Sequence, residues 1–171
     1  MLQFFRSHMA QAPDELMAIS FFWTAAGEEY IPKEYHGAPV LVVGAFWAGH
    51  LAEGERAIQP FRELGTPIAD LSGPMPYVAA QSLFDAEYPN GRRYYWKSIY
   101  LENLDDPVIA MLAEHAARRP SPLSSVDIWA LGGAFARVTP DHGAFFRRDA
   151  PFLVGIEANW DEPEQDAANI A

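Results

Sequence analysis

Cysteine is absent from this 171-residue chain, which excludes disulfides, thiolate metal sites, thiol nucleophiles and cysteinyl attachment of a cofactor. Basic side chains are scarce: 12 lysines and arginines face 23 acidic residues, for a formal net charge of −11. A phosphate backbone or an anionic bilayer would be repelled over most of such a surface, so neither nucleic acid nor membrane is expected as a partner. Long hydrophobic runs are lacking as well. The longest uncharged stretch, Gly37 to Leu51, contains a histidine and several glycines. It falls short of the roughly 18 apolar residues that a spanning helix needs. The opening MLQFFRSHMAQAPDEL mixes charge among its apolar residues and lacks the order of a signal peptide, so a soluble, cytoplasmic protein is expected. The five histidines (8, 36, 50, 115 and 142) show no pair at metal-ligand spacing, and no metal site is expected. Phosphate-binding glycine loops, a nucleophile elbow, HExxH and a calcium loop are all missing.

What is present is the balance of one ordinary globular domain over 1–171, half of it hydrophobic. Helical and strand signals alternate. Leu2, Phe5 and Met9 fall at helical spacing before Pro13. Leu16 to Ala25 and Val40 to Ala48 are rich in β-branched and aromatic residues, with a polar connection between them, and are expected to pair antiparallel. Leu51 to Leu64 places Ala57, Ile58, Phe61 and Leu64 on one helical stripe. Pro67 to Leu71 is read as a short strand, and Tyr77 to Ala86 as a helix ending at Pro89-Asn90-Gly91. Arg92 to Leu101 is the most strand-like run. Asp105 or Asp106 caps a helix that tolerates Pro107 in its first turn and ends at Arg118 and Arg119. Val126 to Val138 is read as a strand interrupted by Gly132-Gly133, Phe152 to Trp160 as another, and Glu162 to Ile170 as a short helix. The sum is an α+β layer architecture: an antiparallel or mixed β-sheet with helices packed on one face.

Several residues invite a chemical reading. Lys97 stands among Tyr94, Tyr95, Trp96 and Tyr100, and strand period groups Tyr95, Lys97 and Ile99 on one face. Its stem either packs on aromatics with the ammonium in water, or the ammonium polarises a substrate oxygen in a pocket. Gly132-Gly133 admits a bulge or the close approach of a flat ligand. Arg147 and Arg148 form either an anion clamp or a salt-bridged surface pair. Glu157 alternates with Gly155 and Leu153 on the last strand, either as a buried base or as a solvated side chain.

Taken together, PDELM at 13–17, GPMPYVAAQSLFD at 73–85, RRYYWKSIYL at 92–101, EHAARRPSPLSSVDIWALGGAFARV at 114–138 and FFRRDAPFLVGIEANW at 145–160 resemble the C-terminal half of bacterial berberine-bridge-type FAD-linked oxidases. The resemblance implies a substrate-binding domain whose sheet roofs the isoalloxazine ring. FAD is then the implied cofactor, held mainly by another domain or subunit, which becomes the expected partner beside a small-molecule substrate. The family's flavin-binding segments and its berberine-bridge motif would lie outside residues 1–171. The resemblance places Tyr95, Lys97, Trp129, Gly132 and Gly133 nearest the ligand, with Arg148 kept and Arg147 where a histidine is more usual. Counted back from Trp160, the position of the family's usual base is Gly155, with Leu153 where some members carry a lysine. The proton acceptor would then be Glu157 after a change of register, Tyr95, or a residue of the other domain. Such a chain would have no turnover alone. The alternative from a different class is a stand-alone domain without catalysis, its aromatic face covered in a homodimer or binding a small planar ligand.

Overall fold

The computed structural model describes residues 1–145 and 147–171. Phe146, within the segment 145–160, lies outside the described residues. Among those described are six α-helices: α1 (Leu2–Met9), α2 (Leu51–Arg62), α3 (Tyr77–Gln81), α4 (Asp106–Ala117), α5 (Gly133–Arg137) and α6 (Asp166–Ile170). The five strands are β1 (Leu16–Thr24), β2 (Pro39–Trp47), β3 (Arg93–Leu101), β4 (Ser125–Ala130) and β5 (Phe152–Trp160). They form one sheet in the order β2-β1-β4-β5-β3, with every neighbouring pair antiparallel. No helix among the described residues is long and apolar enough to cross a membrane.

Strand alternation sorts the side chains onto two unlike faces. Ala18 of β1, Val126 and Ile128 of β4, and Phe152 and Val154 of β5 point to one side. There they meet Leu2 and Phe5 of α1, Leu104, and Leu112 and Ala116 of α4 in a single buried cluster. Phe22, Leu41, Leu101, Val108 and Ala130 pack around it. The α4 helix starts where the sequence places it: the Asp105 carboxylate accepts a hydrogen bond from the Val108 amide at 3.2 Å, and Pro107 occupies the first turn where its missing N–H is not needed. Gly54 of α2 is buried because Trp47 lies against it, and a Cβ there would stand only 2.8 Å from the indole Cδ1.

Three sequence expectations fail. Pro67 to Leu71 is not a strand; it is an exposed connection with no neighbour to pair with, tied to α2 by the Arg62–Asp70 ion pair at 2.9 Å. The strand expected over Val126–Val138 stops at Ala130: Gly132 stays extended as the helix N-cap, and Gly133, at positive φ, opens α5. Gly133 has φ +53°, and a Cβ there would lie 3.1 Å from Asp14 Oδ1. The Gly133→Ala variant is therefore expected to lose about 1–2 kcal/mol, read as a lower urea midpoint at unchanged slope. An unchanged midpoint would show that the turn tolerates a side chain. The helix expected over Tyr77–Ala86 also breaks, into α3 and a single 3-10 turn at Asp85–Glu87.

Candidate functional site

The face turned away from α1 and α4 is built from Ile19, Phe21 and Trp23 of β1, Ser125, Asp127 and Trp129 of β4, Leu153, Gly155, Glu157 and Asn159 of β5, and Tyr94, Trp96, Ser98 and Tyr100 of β3. Register sets Asp127 directly opposite Gly155, and Ser125 opposite Glu157, which in turn faces Trp96. Because Gly155 has no side chain, the backbone, itself buried there, leaves a hollow with room for a methyl group between two carboxylates. A Cβ placed there would sit 3.7 Å from Asp127 Cβ and 3.8 Å from Glu157 Oε1.

Two connections frame this hollow. The segment after α3 passes over the sheet, with Phe84 edge-on to Phe21 at 5.8 Å and Tyr88 edge-on to Trp96 at 5.3 Å. Local chemistry holds it there: Arg92 Nη1 donates to Glu87 O at 2.7 Å, Tyr94 Oη donates to Pro89 O at 2.6 Å, and Gly91 supplies the left-handed turn at φ +94°. On the far side Phe145 lies edge-on to Tyr100 at 5.9 Å and to Phe135 at 5.0 Å. Arg148 fastens this second connection, its Nε donating to Phe145 O at 3.1 Å beneath the Phe135 and Phe145 rings.

Within the hollow, Tyr88 Oη donates to Glu157 Oε2 at 2.7 Å. Asp127 is 5% exposed, and its Oδ1 has no hydrogen-bond partner; neither has Ser125 Oγ, at 1% exposure. Ser125 lies near both Asp127 and Tyr88 without hydrogen-bond geometry to either. Burial first, and the neighbouring charge of Glu157 second, push the Asp127 carboxyl up to about 7. Burial and the bond to Glu157 likewise hold the Tyr88 hydroxyl protonated far above the usual phenol range. Beside the pair, Trp96 Nε1 donates to Asn159 Oδ1 at 2.7 Å. Asn159 is itself locked by Leu123 O and Ser124 Oγ, so this indole is positioned rather than free to turn.

The residues proposed from sequence divide between places. Trp129, Gly155 and Glu157 stand on the open face. Tyr95 and Lys97 stand on the helix-bearing side of edge strand β3, where the ammonium lies 5.3 Å over the Tyr95 ring. Gly132 and Gly133 line a separate groove of about 790 Å³ at the end of the sheet, with Arg6, Met9, Leu104 and Phe152. Arg148 braces a loop, while Arg147 pairs with Asp149 at 3.3 Å. Sequence reasoning misses Asp127 and Tyr88. An aspartate alternating with the core-facing Val126 and Ile128 in an otherwise apolar strand is the signal that could have found the first; for Tyr88, in a connection, there is none.

No protein-family model matches the chain. It is 28% identical over 144 residues to the uncharacterized FAD-linked oxidoreductase YgaK of Bacillus subtilis (strain 168), covering 83% of this chain and 31% of that protein. The fold matches a BBE-like protein, number 28, of Arabidopsis thaliana, with a TM-score of 0.68 over 99% of this chain and 37% of that one at 13% identity. It also matches berberine bridge enzyme, with a TM-score of 0.68 over 98% of this chain and 34% of that one at 14% identity. The one-sided antiparallel sheet is thus the fold of one portion of the berberine-bridge-type FAD-linked oxidoreductases, as the sequence resemblance implies. The chain spans about a third of the length of the relatives it matches.

Proposed function

We propose that residues 1–171 form the substrate-side domain of an FAD-dependent oxidoreductase, with the open face roofing a flavin ring held by another domain or subunit. One observation carries the reading: helices cover only one face of the sheet, and the other keeps a half-exposed Trp96 beside a hollow with orphaned buried polar atoms at Asp127 and Ser125. The residues fit the ring and not the rest of the cofactor. Trp129 and Leu153, both half-buried, offer apolar contact, whereas the chain has no phosphate-cradling glycine loop and a net charge of −11. Bound flavin would supply the hydride acceptor; this chain would orient the substrate, exclude water and hold a proton at Asp127.

The test is to titrate the chain with free FAD, and then with the flavin-loaded remainder of a similar oxidoreductase, while following tryptophan fluorescence. Weak or no binding of free FAD, with quenching and turnover only when the flavin-bearing part is added, is the expected result. Tight stoichiometric binding of free FAD would overturn the division of labour. A homodimer that buries Trp96 and ignores the flavin-bearing part would favour an interaction domain without catalysis.

A further inference from the structure

The connection between α3 and β3 crosses the open face of the sheet. Phe84 lies edge-on to Phe21 of β1, the residue registered opposite Asp127, and Tyr88 lies edge-on to Trp96 of β3, the residue opposite Glu157. Ser82 to Pro89 therefore spans the two carboxylates from one flank to the other. Its hold on the strands beneath is slight. Apart from half-buried Glu87 and Tyr88 its residues are exposed, and the amides of Asp85, Glu87 and Tyr88 donate to carbonyls within the segment. Among the described residues, one hydrogen bond joins it to β4 or β5, from Tyr88 Oη to Glu157 Oε2 at 2.7 Å. Its exit toward β3 is fixed by the bonds from Arg92 to Glu87 O and from Tyr94 to Pro89 O, with Gly91 as the turn. The segment is thus a strap anchored at one end, and with so few contacts it opens at less cost than the paired strands under it.

What it covers is sensitive to protons. Asp127 and Glu157 share a proton, which burial and the charge of Glu157 keep on Asp127 up to about pH 7. The groups facing the pair are the Tyr88 hydroxyl from the strap, the unpartnered Ser125 hydroxyl from β4, and the charge of Arg119 from the end of α4. Phe21 and Trp96, its neighbours on β1 and β3, carry no charge. Arg119 donates to Ala116 O and Thr24 Oγ1, and its single charge offsets one carboxylate at most. On the strap itself Asp85 is exposed, and Glu87 lies with Glu28 near Tyr30 of the β1–β2 connection. Loss of the shared proton leaves two negative charges in a buried site, a costly state that contact with water relieves.

We propose that Ser82–Pro89 is a proton-controlled strap, closed over the sheet while Asp127 and Glu157 hold one proton between them and lifted when both are ionised. Closed, it shields the pair; lifted, it uncovers Trp96 and both carboxylates to water. The switch goes beyond the flavin-roof reading and needs no flavin.

The chain has no cysteine, so two spin labels can be placed without competing sites, on Asp85→Cys in the strap and Glu114→Cys on α4, both exposed positions. Pulsed electron resonance then reads the distance from strap to helix at pH 5.5 and pH 8.5. The ratio of the long-distance to the short-distance population is expected to rise at least about tenfold between the two. Asp127→Asn keeps the short distance at both pH values, Tyr88→Phe raises the long-distance population already at pH 5.5, and Glu87→Gln leaves the response in place. Circular dichroism establishes that each variant is folded. Equal distributions at both pH values, a response that survives Asp127→Asn, a strap unmoved by Tyr88→Phe, or a response abolished by Glu87→Gln would each overturn the proposal. No flavin-bearing partner takes part, so the failure of either reading is visible without the other.

Discussion

Replacing Asp127 by asparagine is expected to stabilise the domain at pH 8 and to flatten its dependence on pH. The folded chain holds the Asp127 proton up to about pH 7, because the carboxyl is buried beside Glu157. The unfolded chain releases it near 4. Between those values the folded state binds more protons, so the stability that this group contributes is complete below about pH 4 and is lost as pH climbs toward 7. The difference is on the order of 2–4 kcal/mol. Asparagine keeps the shape and cannot ionise. Urea denaturation of wild type and Asp127→Asn at pH 4.5 and pH 8 should show midpoints that agree in acid and separate in base, the variant being higher. Curves that run parallel across both pH values would mean that the pair does not titrate in this range.

The second large effect lies on the opposite side of the sheet. Phe5 is 0% exposed, at the centre of the cluster formed by α1, α4 and the inner residues of β4 and β5. Truncation to alanine removes a whole ring from a site enclosed by Leu104, Ile128 and Val154, which have little room to collapse. Phe5→Ala should cost about 3–5 kcal/mol, enough to consume much of the stability of an ordinary domain. The neighbouring Phe4 is only half-buried, stacked on His8 and edge-on to Phe61, and should cost less when truncated. Denaturant midpoints of the two variants provide the check. Equal losses would show that α1 is not keyed into the core through Phe5.

Much of this arrangement is legible along the chain. The five strands sit in apolar, β-branched or aromatic runs, and α4 carries its cap and its proline where helix chemistry demands them. The α+β sheet with helices on one face follows from that alternation. What fails does so for physical reasons. Pro67–Leu71 has strand-like residues but no partner to complete its ladder, and partnering is a property of the fold rather than of the segment. Gly132-Gly133 reads as a strand bulge or a ligand approach, and the chain instead leaves the sheet there, Gly133 taking the positive φ that opens α5. The residues assigned to the ligand fall on two faces because alternation groups Tyr95 with Lys97 without saying which side the helices take. Register across β3, β5 and β4 supplies that answer. The same register brings Glu157, Asp127 and Ser125 together from two strands, and Tyr88 arrives over the top from a connection whose path no local pattern records.

The sheet order also carries a consequence for assembly. The β1–β2 pair is a hairpin of near neighbours, and β3, β4 and β5 all come from the second half of the chain. The two parts meet along one line, where Ile19 to Phe22 pair with Val126 to Trp129 in the middle of the sheet. Closing that line joins distant parts of the chain, and Leu2 and Phe5 of α1 share one buried cluster with Ala18 on one side of it and with Val126, Ile128 and Val154 on the other. The short first helix therefore straddles the seam between the two ladders and ties them into one sheet.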